Sequence, residues 1–119
     1  MKHLLLKKLI KKILINHNLI NGHAETCANA LINAELVGAP SHGLSRLRMY
    51  CERISKKVIN PKPKIKIKKI SQSISHIDAD NSIGFVAADT AIKVGIKNAK
   101  KTGIGLVAVK NSGHYGLSG

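Results

Sequence analysis

Apolar residues recur at helical spacing over residues 1–58 and at strand spacing beyond. Leu5, Leu6, Leu9, Ile10, Ile13 and Leu14 fall on one face of a segment from about residue 3 to 18, with lysines between them. Asn21-Gly22 then breaks the run. A second helix is predicted over residues 23–36. Its Ala24, Cys27, Ala28, Leu31, Ile32 and Ala34 include small side chains that permit close helix packing. Pro40 and Gly43 mark a turn, and residues 44–58 read as a third helix with an apolar stripe of Leu44, Leu47, Cys51, Ile54 and Val58.

Asn60-Pro61-Lys62-Pro63 is a stiff, extended connector, and the period changes after it. Ile65 and Ile67 alternate with lysines, and Ile70, Ile74 and Ile77 continue in β-type runs. Lysines along one face predict an edge strand guarded against pairing. Residues 78–82 read as a turn and residues 83–101 as a helix that Gly103 ends. The apolar run over residues 104–109 is predicted to be a buried strand. The chain is therefore expected to be α/β. A helical region, residues 1–60, precedes an α/β region, residues 61–119, with exposed strand edges.

Composition narrows the chemistry. The 119 residues suffice for one modest domain, and aromatics make up only 3%, so the core must be built from Ile, Leu, Val and Ala. A formal charge of +14 raises a non-enzymatic module for nucleic acid or another anion as an alternative. Against it, the excess is nearly all lysine, spread along the chain beside many Ile and Asn. A low-GC genome produces that mixture by codon bias. The arginines and stacking aromatics of a dedicated nucleic-acid reader are missing. Cys27 and Cys51 fit packing positions on helices, and the six histidines show no metal-ligand spacing. Lysines at 7, 8, 11 and 12 interrupt any leader-like core, and no apolar run is long enough to span a bilayer. The expectation is a cytoplasmic protein with no metal, no membrane partner and no specific nucleic acid.

Candidate chemistry concentrates in Gly38-Ala39-Pro40-Ser41-His42-Gly43-Leu44-Ser45-Arg46-Leu47-Arg48-Met49-Tyr50. At about 100° per residue, His42, Arg46, Tyr50 and Arg53 share one stripe of the expected third helix. An imidazole exchanges protons near neutral pH, and a guanidinium grips a carboxylate with two parallel bonds. Together they suit a 2-oxo or 2-hydroxy acid. Ser41 also fits a helix cap, and the arginines also fit a solvated face. Gly103-Ile104-Gly105 is not a dinucleotide fingerprint, because it precedes a strand instead of following one. Gly113-His114-Tyr115-Gly116 follows a strand, and its glycines let backbone amides approach a ligand.

The chain resembles the N-terminal portion of the malate/L-lactate dehydrogenase family with a non-Rossmann fold, which includes ureidoglycolate, sulfolactate and diketogulonate dehydrogenases and cyclic-imine reductases. The resemblance is carried by residues 30–50, by Arg53-Ile54 with Ile59-Asn60-Pro61, by residues 77–84, and by residues 103–116. Lys57 stands where glycine is common, Tyr115 where phenylalanine is usual, and Lys110 where arginine is common. Family members are far longer, so the resemblance implies a fragment, a split gene product or a remnant.

The resemblance implies the start of a mixed-sheet α/β domain. It also implies hydride transfer between NAD or NADP and a small 2-oxo/2-hydroxy acid such as malate or lactate, in a homodimer when complete. His42 is expected as the proton donor with Ser41 orienting it, and His114 as the rival. Arg46 is expected on the substrate carboxylate, and Tyr50 on substrate or on Arg46. His114, Tyr115, Gly116, Leu117 and Ser118 are expected at the cofactor. The isolated chain is expected to be inactive.

Overall fold

A computed structural model of the chain describes residues 2–117. Ser118, expected at the cofactor, lies outside the described residues, as do Met1 and Gly119. Helices α1 (Lys2–Asn16) and α2 (Asn21–Leu36) precede two 3₁₀ turns, Pro40–His42 and Leu44–Arg46. Helix α3 (Leu47–Ser55), strands β1 (Lys66–Lys69) and β2 (Ile74–Ser82), helix α4 (Gly84–Thr102) and strand β3 (Leu106–Ser112) follow.

The apolar face of α1 does what its spacing predicts. Ile10 and Leu14 are buried and join Ala24, Cys27, Ala28 and Leu31 of α2 in one cluster. Burying each Leu or Ile of this kind is worth roughly 1.5–3 kcal/mol. Lys7 and Lys11 reach across to Glu25, so the lysines between the apolar positions also tie the two helices together. The break between the helices falls earlier than expected. Asn18 adopts a left-handed φ of 69°, and α2 already begins at Asn21. Asparagine tolerates that conformation better than most residues.

The sheet has the order β1-β2-β3, with β1 antiparallel and β3 parallel to β2. Helix α4 makes the crossover that a parallel pair needs. Ser75, Ile77 and Ala79 of β2 are buried while His76 is exposed, the alternation of a strand covered on one face. Asn98 of α4 donates to the Ser75 hydroxyl at 3.0 Å, which satisfies two buried polar groups at once. The lysine-rich β1 is an edge strand, as its pattern predicts.

Three expectations are corrected. Residues 78–82 are not a turn but the end of β2. Asp80 and Asn81 have left-handed φ values of 51° and 55°, and the register shifts between Asp78 and Ser82. Turn-forming residues bend this strand without ending it, because Ser82 pairs again with Ser112. The third helix is shorter than residues 44–58. It starts at Leu47 after the 3₁₀ turns and stops at Ser55. Strand β3 is mostly exposed instead of buried, since among the described residues only β2 pairs with it.

The connector at residues 60–63 is pinned to the strand end. The Asp80 carboxylate accepts from the Asn60 side chain at 3.0 Å and the Lys64 amide at 2.8 Å. The Asn60 amide donates to the Asn81 carbonyl at 2.9 Å. The main apolar cluster crosses this point: Ile83, Phe85 and Val86 pack with residues of α1, α2 and α3. The apolar cluster therefore includes residues from both sides of position 60/61. Lys57 holds a left-handed φ of 59°, a conformation that glycine adopts most readily.

Candidate functional site

Glu35 of α2 braces the turns that carry the site residues. Its Oε1 accepts the Leu44 amide at 2.7 Å, and Ser45 donates its hydroxyl to the Pro40 carbonyl at 2.8 Å. These local bonds compete with helical ones, so residues 40–46 form two tight turns. The Arg46 Nε donates to the Ser41 carbonyl at 2.7 Å, fixing the plane of the guanidinium. The Ser41 hydroxyl lies 3.0 Å from His42 Nδ1. Ser41 is exposed, and His42 and Arg46 are half-buried.

Helix α3 carries Tyr50 inward. Its ring is fully buried and meets Phe85 edge-on at 5.4 Å. Its hydroxyl lies 2.8 Å from Nδ1 of His114, in the loop after β3. That loop is seated by two glycines. A side chain at Gly84 would strike the carbonyls of Gly113 and His114, and one at Gly116 (φ 83°) would strike the Phe85 ring. The Gly116 amide donates to His114 Nδ1 at 3.2 Å. His42 and His114 are thereby stacked, with ring centroids 5.9 Å apart and planes inclined by 24°.

The fold therefore gathers Ser41, His42, Arg46, Tyr50, His114 and Gly116. The expected helical stripe does not exist as such, because the 3₁₀ turns interrupt it. Tyr50 is turned into the core with its hydroxyl against His114. Tyr115 and Leu117 of the same loop are exposed. Tyr115 borders an open hollow of about 460 Å³ between α4 and β3, lined largely by small residues including Gly84, Ala87, Ala88 and Ala91. The sequence reading missed Glu35, Gly84 and Phe85. Glu35 has no signal of its own, whereas the glycine opening α4 and the lone Phe are visible irregularities.

The site is electropositive. Burial lowers the pKa of His114, and Arg46, His42 and Arg53 lower it further by charge. Burial pushes the Tyr50 phenol up to about 12, Cys27 adds to the rise, and Arg46 and Arg53 oppose it. An anion entering here meets a fixed guanidinium and two imidazoles. Among the described residues no cluster of His, Cys, Asp or Glu could hold a metal ion, and no helix is long and apolar enough to cross a membrane.

The sequence model of the malate/L-lactate dehydrogenase family matches residues 1–119, and the chain belongs to that family. It is 38% identical over 113 residues to L-sulfolactate dehydrogenase of Methanocaldococcus jannaschii, covering 95% of the chain and 33% of the relative. It is 45% identical over 96 residues to a malate dehydrogenase of Pyrococcus abyssi, covering 81% of the chain and 26% of the relative. The solved malate dehydrogenase of Pyrococcus horikoshii superposes with a TM-score of 0.93 at 37% identity, over 96% of the chain and 33% of that structure. The chain thus spans about a third or less of the length of these relatives.

Proposed function

We propose that this chain supplies the substrate-binding and proton-transfer part of a nicotinamide-dependent oxidoreductase. It interconverts a small 2-oxo acid and its 2-hydroxy acid, of the malate or lactate kind. The observation that carries this reading is the convergence of two stacked histidines and an anchored arginine from segments far apart in sequence. Membership of the family supports it.

Arg46, fixed through Nε, keeps its outer nitrogens for the substrate carboxylate, a bidentate pairing that orients the adjacent carbonyl. His42, oriented by Ser41, delivers a proton to the carbonyl oxygen as charge builds on it, and removes it in the reverse direction. His114 stands across from His42 as the second polar group at that oxygen. The half-buried setting strengthens these interactions over what water would allow. The hollow beside Tyr115 and the small residues of α4 fits a flat ring with little steric conflict, so Tyr115 and the Gly116 loop would hold the nicotinamide end of NAD or NADP. When bound, that cofactor supplies or accepts the hydride. By the same family reading, the complete protein is a cytoplasmic homodimer.

The test joins this chain to the remaining two-thirds or so of the Pyrococcus horikoshii relative. The joined protein is given NADH or NADPH with a panel of 2-oxo acids and with matching ketones that lack the carboxylate. Oxidation with the acids and little with the ketones is expected. Equal use of acid and ketone, or no cofactor binding by the folded protein, contradicts the reading.

A further inference from the structure

Two groups converge on one atom, Nδ1 of His114. The Tyr50 oxygen lies 2.8 Å from it and the Gly116 amide nitrogen 3.2 Å. A backbone N–H can only donate, so Nδ1 faces it with a lone pair. A ring nitrogen that accepts from Gly116 has no proton to give Tyr50, so the phenol donates as well, and the two donors share the one lone pair with the phenol making the shorter bond. The proton of the neutral ring is then on Nε2. The geometry points to Tyr50 as a positioning residue that locks His114 as the neutral Nε2–H tautomer. The two stacked histidines therefore do different work: His114 presents a fixed N–H donor, while His42 gains and loses the proton. The assignment of these tasks rests on the proposed dehydrogenase reading, whereas the tautomer rests on the hydrogen bonds alone.

The surroundings agree. Tyr50 is fully buried and its phenol is pushed up to about 12, so it remains a donor throughout the physiological range. The groups acting on His114 are His42 from the first 3₁₀ turn, Arg46 from the second, and Tyr50 and Arg53 from α3. Among the described residues no carboxylate acts on His114 to oppose the lowering of its pKa. Positive neighbours and a donor at Nδ1 all favour the neutral ring. A neutral N–H beside a carbonyl oxygen stabilises the charge that develops there without having to lose its own proton.

The test is a long-range ¹H–¹⁵N spectrum of the histidine rings of the ¹⁵N-labelled 119-residue chain, kept at a concentration where sedimentation shows a monomer, at about pH 8, above the ordinary histidine range. His114 is assigned by the signal missing from His114→Gln. The expected spectrum shows Nε2 protonated and Nδ1 bare. Tyr50→Phe keeps the ring that packs on Phe85 but removes the donor. It should move the tautomer ratio toward Nδ1–H by roughly fivefold, the size of one neutral hydrogen bond, and raise the pKa of His114. A wild-type ring protonated mainly on Nδ1 overturns the proposal without any variant. So does a Tyr50→Phe spectrum with unchanged ratio and pKa. The spectrum needs no substrate or cofactor, so a wrong tautomer leaves the dehydrogenase reading standing. An inactive joined enzyme likewise leaves the tautomer standing.

Discussion

Arg46 is held at Nε by the Ser41 carbonyl, and that anchor makes its outer nitrogens a rigid fork. Lysine keeps the charge but has neither the plane nor the fork. Arg46→Lys in the joined protein should therefore raise KM for the 2-oxo acid by about 10–100-fold, with kcat changed far less, since a charge-assisted pair is made in ground and transition states alike. Steady-state kinetics on wild type and variant check this. At this scale the sequence was informative where chemistry lies in one short run: Ser41, His42 and Arg46 are chain neighbours. The bond from Tyr50 to His114 joins residues 64 positions apart. Helical periodicity says which side of α3 Tyr50 occupies, but nothing about what comes to meet it.

Elements explain why the site holds its shape. The start of α4 lies directly against the histidine loop, with Gly84 beneath the carbonyls of Gly113 and His114. Gly84→Ala must push the loop away, so a loss of about 1–3 kcal/mol in urea unfolding is expected, the usual cost of overpacking. The paired helices α1 and α2 carry a pH signature. Hydrogen bonds from Lys11 and then Lys7 hold the Glu25 carboxyl at about 2, below its ordinary 4.5. A depressed folded-state pKa contributes stability that is fully present above about 4.5 and lost as pH falls toward 2. Acid unfolding curves should show that decline, and Glu25→Gln should flatten it. Helices α1, α2 and α4 were legible because their apolar spacing runs over several turns. Residues 44–46 were not, because Glu35 and Ser45 divert hydrogen bonds that a helix would use. Residues 78–82 looked like a turn because Asp and Asn do favour left-handed backbone. Here that conformation bends a strand that pairing keeps in the sheet.

Seen as a whole, the molecule buries one side and leaves another open. Ile92 and Ile96 of α4 and Leu106 of β3 are each more than half exposed, and β3 has a free edge among the described residues. Such an edge is a template for pairing. The isolated 119-residue chain is therefore expected to self-associate as concentration rises, seen as growing sedimentation coefficients. The joined protein, with more chain to cover this side, should do so less. The apolar run of β3 reads as buried because its composition is that of a covered strand, and local sequence does not show that among the described residues only β2 pairs with it.

In the proposed reaction His42 moves the proton at the carbonyl oxygen while His114 donates to the same oxygen. The most direct measurement is kcat for 2-oxo acid reduction by the joined protein, wild type beside His42→Ala, with His114→Ala as reference. His42→Ala should lower kcat by about 10²–10⁴-fold, the contribution of a positioned general acid, while cofactor binding is retained. Near-full kcat in His42→Ala with loss in His114→Ala would contradict the assignment and transfer the role to His114, and full kcat in both variants would contradict the site itself.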